Sequence, residues 1–217
     1  PIVTRALCEN RGIQELYLRY LECDTFGGCM AALLEKNKTI TNLSIADSSF
    51  HKEATEFASA LRWNTTLESL DLNNQRNLWL RLKDQVFYSV LLNQKLRVLG
   101  LSYVLLNESH LSLLVDVIRS NHKLEVLSLS YTQMGDSGSQ KIADALKLNS
   151  TIYQVNLSYN QILTEGLRAL ADMLRVNRSI VYFDLQEHGS LETRNMDFSE
   201  ILKANRVLKG MNFCFSQ

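Results

Sequence analysis

Asparagine recurs as Asn10, Asn37, Asn64, Asn93, Asn121, Asn149, Asn177 and Asn205, and three residues after each begins the pattern Φ-x-x-Φ-x-Φ, with Φ aliphatic, Met or Phe. The intervals are 27, 27, 29, 28, 28, 28 and 28 residues. A period this regular along nearly the whole chain means a stack of similar units, not a core without internal symmetry.

The apolar triplets are Ile13, Leu16, Leu18; Ile40, Leu43, Ile45; Leu67, Leu70, Leu72; Leu96, Leu99, Leu101; Leu124, Leu127, Leu129; Ile152, Val155, Leu157; Ile180, Phe183, Leu185; and Leu208, Met211, Phe213. The last two members of each lie two residues apart, so both point to one face of a short strand while their neighbours point to the other. The residues seven and three before the next Asn are also apolar: Met30 and Leu34, Phe57 and Leu61, Val86 and Val90, Leu114 and Ile118, Ile142 and Leu146, Leu170 and Leu174, Phe198 and Leu202. The apolar period therefore switches from 2 to helical spacing inside each unit, which predicts one strand backed by one helix. The Asn falls where that helix must stop. Asn tolerates the left-handed backbone that ends helices, and its amide bonds free backbone groups, so its expected role is structural.

On these residues the chain resembles leucine-rich repeat domains of the ribonuclease-inhibitor type, with repeats of about 28 residues and a full helix in each, over roughly residues 6 to 215. The resemblance implies an α/β leucine-rich repeat solenoid, a horseshoe of about eight strand-helix repeats with a parallel concave sheet and convex helices. The family's Asn or Cys at the ninth repeat position is met at Asn160, whereas Leu21, Ser48, Val104, Thr132 and His188 stand elsewhere. That departure loosens the turn chemistry and leaves the fold.

One such domain is expected across residues 1–217. The chain opens at Pro1 and ends shortly after the eighth strand, which reads as a fragment of a longer chain. Ile2 to Cys8 is expected to form half a helix as a partial cap. Asn73 to Asp84 departs most from the repeat and reads as an irregular loop with Trp79 packed.

With 46% hydrophobic and 21% charged residues and a formal net charge of zero, the composition is that of a soluble folded module. No apolar run approaches the roughly 18 residues of a membrane helix. No basic run offers clustered phosphate contacts, so neither nucleic acid nor membrane is expected as a partner. Cys8, Cys23, Cys29 and Cys214 form no paired framework and no Cys-x-x-Cys, so they read as reduced thiols in a cytoplasmic compartment. Asn37, Asn64, Asn149 and Asn177 match the glycosylation sequon, but each is the recurrent helix-ending Asn, so the matches follow from repeat chemistry.

Motifs for catalysis are missing: no Gly-rich phosphate loop, no His-Glu-x-x-His and no Gly-x-Ser-x-Gly. His51, His110, His122 and His188 occupy unrelated repeat positions and read as surface or turn residues. Asp71 and Asp184 share a repeat position four strands apart, roughly 19 Å at about 4.8 Å per strand, too far for paired-carboxylate chemistry. No enzyme activity, cofactor or metal is expected.

The informative surface is the strand face turned from the core, concave in a curved solenoid. It gathers Glu15, Tyr17, Arg19 and Tyr20; Asn42, Ser44, Ala46 and Asp47; Ser69, Asp71, Asn73 and Asn74; Val98, Gly100, Ser102 and Tyr103. The second half adds Val126, Ser128, Ser130 and Tyr131; Gln154, Asn156, Ser158 and Tyr159; Tyr182, Asp184, Gln186 and Glu187; Gly210, Asn212, Cys214 and Phe215. Six of the eight tyrosines fall here against one of the eight phenylalanines. Rings bearing a hydroxyl are enriched in protein interfaces, which makes this sorting a binding signal. The competing reading is that Tyr103, Tyr131 and Tyr159, in three successive Leu-Ser-Tyr units, stack on one another along the solenoid. Five carboxylates stand against Arg19 alone, favouring a partner with a basic or mixed patch.

Together these features imply a protein-binding module that holds a folded partner on its concave face and regulates or inhibits it, as by covering an active site. The residues expected to carry contact are Tyr17, Arg19, Tyr20, Asp47, Asp71, Asn73, Tyr103, Tyr131, Asn156, Tyr159, Tyr182, Asp184 and Glu187. The family resemblance also allows a bacterial effector acting in a host cytosol, the sensing segment of an intracellular immune receptor, or a GTPase-activating protein, the last by fold analogy alone.

Overall fold

A computed structural model describes residues 2–21, 24–46, 48, 54–74, 83–186 and 199–212. Asp47, Glu187, Cys23, Cys214, His51, His188, Phe198, Phe213, Phe215 and the stretch around Trp79 lie outside them. The chain divides into two compact units, Pro1–Gly100 and Leu101–Gln217.

In the first unit, strand and helix alternate as the spacing predicts: α1 (Ile2–Glu9), β1 (Glu15–Tyr17), α2 (Phe26–Lys36), β2 (Asn42–Ser44), α3 (Ala54–Trp63), β3 (Ser69–Asp71), α4 (Lys83–Leu92) and β4 (Val98–Gly100). The strands pair in parallel and in chain order, with Leu16, Leu43, Leu70 and Leu99 in one register row. The second unit repeats the design with α5 (Glu108–Ser120), β5 (Val126–Ser128), α6 (Gly135–Leu146), β6 (Gln154–Asn156), α7 (Thr164–Val176), β7 (Tyr182–Asp184), α8 (Ser199–Ala204) and β8 (Gly210–Asn212). Its strands are parallel too, with Leu127, Val155, Phe183 and Met211 in the row.

The core lies between strands and helices. Leu43, Leu70, Leu99, Leu127, Val155 and Phe183 are buried, as are the helix residues Met30, Leu34, Phe57, Leu61, Val86, Val90, Leu114, Ile118, Ile142, Leu146, Leu170 and Leu174. Each such side chain contributes about 1.5–3 kcal/mol on burial. Leu202 breaks the pattern at 45% exposure on the short helix α8. Ile13, Leu16, Leu18, Leu208 and Met211 are only half buried. The expected partial cap is a complete helix, α1, with Cys8 buried and Ile2 and Val3 exposed.

The recurrent Asn does end helices, but not by adopting a left-handed backbone. Asn37, Asn121 and Asn177 are extended, with φ/ψ of −80/135, −82/128 and −66/137. The selected property is the amide. In Asn149 the Oδ1 accepts from the backbone N–H of Thr151 and Ile152, while Nδ2 donates to the carbonyls of Ile118 and Asn121 in the preceding repeat. Asn37, Asn93 and Asn177 make the same four bonds. A backbone carbonyl at a helix C-terminus has no intrahelical donor, so the following repeat supplies one. Asn64 donates to the Leu34 carbonyl and accepts from Thr66 N and Leu67 N, so Asn37, Asn64, Asn149 and Asn177 are all buried with bonded amides, which leaves the four sequons closed to a glycan in the folded chain.

Candidate partner-binding face

Within each unit the strands contribute their outward positions to one face, and the chain turns sharply after each strand. Tyr20, Asn74, Tyr103, Tyr131 and Tyr159 occupy the same repeat position, and all have positive φ, from 56° to 63°. These tyrosines therefore stand in the turn beyond the strand and not on it. Asn suits that left-handed conformation; a tyrosine is strained in it. The turn is prepared by the strand residue before it: Asp71 Oδ1 accepts from Asn73 N, Asn156 Oδ1 from Ser158 N, and Asp184 Oδ1 from Gln186 N. Three residues proposed for partner contact thus also fold the backbone, as Asx turns.

In the second unit, Tyr103, Tyr131 and Tyr159 form a stacked ladder with centroids 4.3 Å apart in both pairs and planes 10° and 11° from parallel. The stacking expected as the competing reading is thus present. Tyr103 remains 49% exposed at the end of the ladder, while Tyr131 and Tyr159 are half-buried. Shielding of the central hydroxyl from water, with the adjacent phenols of Tyr103 and Tyr159, raises the pKa of Tyr131.

In the first unit, Tyr17 is 62% and Tyr20 77% exposed, and Arg19 is exposed between them. The Tyr17 hydroxyl donates to Glu15 Oε2 at 2.9 Å, and this bond to the carboxylate raises the phenol's pKa. Asp71 is well satisfied, accepting from Asn73 N at 2.9 Å and from Ser44 Oγ at 2.8 Å. Beside it, Gly100 makes room: a Cβ there would stand 3.0 Å from the Asn73 Oδ1 and 3.1 Å from the Asp71 Oδ1.

Across β6, β7 and β8 the face opens into a cleft of about 350 Å³ bordered by Gln154, Asn156, Tyr182, Asp184, Gly210 and Asn212. Tyr182, 47% exposed, lies over Gly210, where a Cβ would come within 2.8 Å of its Cδ1. The roles of Gly100 and Gly210 were not apparent from the repeat alone. Their signal is a glycine one repeat after a bulky or acidic residue at the same or an adjacent strand position.

Asn160 and Asp136 serve the scaffold. Buried Asn160 donates through Nδ2 to Leu129 and Leu157 carbonyls and accepts through Oδ1 from Thr132 N and Oγ1, so one amide serves two turns. Asp136 Oδ1 accepts from Leu163 N at 2.7 Å and Gly166 N at 2.9 Å, capping the next repeat's helix α7. Sequence reading missed this cap because the carboxylate comes from another repeat. His110, expected at the surface or in a turn, is buried in the first turn of α5, whose N-terminus Asn107 caps. Cys8 and Cys29 are free thiols. Among the described residues no group of three or more His, Cys, Asp or Glu could hold a metal, and no helix is long and apolar enough to cross a membrane.

Two stretches, residues 120–143 and 148–171, match the family model described as Leucine Rich repeat. No curated protein matches the chain. Among solved structures, the leucine-rich repeat-containing protein LegL7 from Legionella pneumophila is similar over 88% of this chain and 70% of its own, at 14% identity and a TM-score of 0.52. Leiomodin-1 actin-binding site 2 aligns over 52% of this chain at 25% identity and a TM-score of 0.46. That alignment spans 66% of the leiomodin chain, just under two thirds of its length. The tropomodulin C-terminal domain of Caenorhabditis elegans aligns over 83% of this chain and 93% of its own, at 12% identity and a TM-score of 0.46. The repeats are leucine-rich repeats, and the fold is the corresponding α/β solenoid.

Proposed function

We propose that the chain is a protein-interaction module of the ribonuclease-inhibitor type that holds a folded partner against its strand face and regulates or inhibits it. The subfamily reading rests on the 27 to 29 residue period and on the helix that backs each strand. The binding reading is carried by one observation: Tyr17, Tyr20, Tyr103 and Tyr182 stay between 47% and 77% exposed after folding, and Tyr20 and Tyr103 do so on left-handed backbone that a smaller polar residue would occupy with less strain. Exposed rings with a hydroxyl bury area at low entropic cost and still offer a hydrogen bond, which makes them interface anchors. Glu15, Asp71 and Asp184 give that face an acidic bias, which selects a partner with a basic or mixed patch and speeds its encounter.

The test is affinity capture from the source cell's lysate with the parent chain and with a chain carrying Tyr131→Asn and Tyr159→Asn. A protein retained by the first and lost by the second supports the strand-face reading, and that protein's activity, measured with and without the module, shows whether binding inhibits it. Identical capture by both chains would move the binding surface to the helices.

A further inference from the structure

We infer that the cleft across β6, β7 and β8 is a receptor site for a basic side chain of the partner, arginine in preference to lysine; this rests on the strand-face reading above. The first reason is the state of Asp184. Among the described residues its carboxylate accepts from neutral donors, Gln186 N at 3.1 Å and Asn212 Nδ2 at 3.2 Å, both near the long end of the hydrogen-bond range. No Lys or Arg among the described residues pairs with it. Its counterpart Asp71 differs, being held by two shorter bonds and crowded by the Asn73 side chain above Gly100.

The second reason is the aromatic wall beside the charge. Tyr182 and Asp184 are two apart on one strand and project to the same face, about 6.6 Å apart along it. Gly210 leaves room for the Tyr182 ring beside β8, where a Cβ would come within 2.8 Å of its Cδ1, and the ring stays 47% exposed. A cation that approaches the carboxylate meets that ring at its side, and the pairing of carboxylate and aromatic face suits a guanidinium.

The third reason is the border. Gln154 and Asn156 stand in register with Tyr182 and Asp184 on one side, Gly210 and Asn212 on the other. The Asn156 oxygen is taken by Ser158 N and Oγ, and the amide oxygens of Gln154 and Asn212 match the N–H groups that a planar guanidinium keeps after two are spent on the carboxylate. Lysine would gain the charge contact without the fork or the stacking.

The test titrates the isotope-labelled chain with acetyl-Gly-Arg-Gly-amide, its lysine counterpart and its citrulline counterpart, which keeps the shape and loses the charge, and follows backbone amides by NMR. Saturable shifts centred on β6, β7 and β8 are expected, with affinity on the order of millimolar. Citrulline in the peptide, or Asp184→Asn in the protein, should weaken binding about tenfold, and lysine by less. Asp184→Asn keeps the Oδ1 acceptor for Gln186 N, so the fold stays intact as a control. Tyr182→Phe should bind like the parent and Tyr182→Leu more weakly. Citrulline bound as tightly as arginine, or no saturable shift in the cleft, overturns the inference even if capture through Tyr131 and Tyr159 holds. Arginine binding without any effect of Asp184→Asn on captured protein would keep the cleft but overturn its assignment to that partner.

Discussion

Asn149 donates a proton from Nδ2 to the carbonyl of Ile118, 2.8 Å away and 31 residues earlier. The bond joins the turn of one repeat to the helix end of the repeat before it, and its equivalents recur at Asn64, Asn93, Asn177 and Asn205. Stacking in this protein is therefore held by polar contacts at the repeat junction as well as by the apolar core.

Asn149→Leu should cost about 3 kcal/mol or more, because several buried backbone groups lose their partners at once. Chemical denaturation of the variant and parent reads the difference. A loss of under about 1 kcal/mol, the worth of a single ordinary hydrogen bond, would show that water replaces the amide.

Gly166→Ala should destabilise the second unit, although alanine is the better helix former by about 1 kcal/mol. A Cβ there would meet Ser139 Oγ at 2.2 Å, Asp136 Oδ1 at 2.5 Å and Ile162 Cγ2 at 2.5 Å, and the Asp136 carboxylate that caps α7 would be pushed aside. We expect a net loss of about 2 kcal/mol, read by thermal unfolding. Unchanged or raised stability would show that the α6–α7 junction yields freely.

Leu127→Asp should unfold its repeat and the repeats beside it. Leu127 is fully buried in the middle of β5, and a carboxylate there has neither water nor a partner. Hydrogen exchange should show lost protection spreading to β6. Native protection in this variant would mean that the inward register is misassigned.

Tyr131→Asn with Tyr159→Asn should leave the melting temperature close to that of the parent while abolishing partner capture. Asparagine relieves left-handed strain as the two stacking contacts are lost, and the two effects oppose each other. The corresponding alanine pair loses the stacking without that relief and should melt earlier. If the asparagine pair captured the partner normally, the rings would be scaffold only.

Glu15→Gln should lower the pKa of Tyr17 towards the ordinary phenol value, because the carboxylate that accepts its proton is what raises it. In the parent, the folded state favours the neutral phenol, so this contact is intact below the ordinary tyrosine pKa and is lost as pH rises through the raised one. Ultraviolet absorbance of the phenolate, compared in the two chains, measures the shift. Coincident titration curves would mean that the hydrogen bond does not persist in solution.

The repeat period, the strand-helix alternation and the inward residues were legible in the chain because each rests on short-range spacing: Leu16 beside Leu18 reports a strand face and Met30 beside Leu34 a helix face, wherever the repeat sits. The sorting of tyrosine was legible for the same reason. Contacts between repeats were not. The Asn37 amide reaching Leu7, the Asp136 cap on α7, the Tyr103–Tyr131–Tyr159 ladder and the Tyr182 ring over Gly210 each join residues of different repeats. Composition and period place such residues in equivalent rows, but only packing decides which member of a row bends its backbone, which leaves space and which keeps an exposed charge. Asp71 and Asp184 share one repeat position, yet their neighbours satisfy the first more fully than the second. Local spacing determined the scaffold; the neighbours that stacking brings within hydrogen-bond reach decided its surface chemistry.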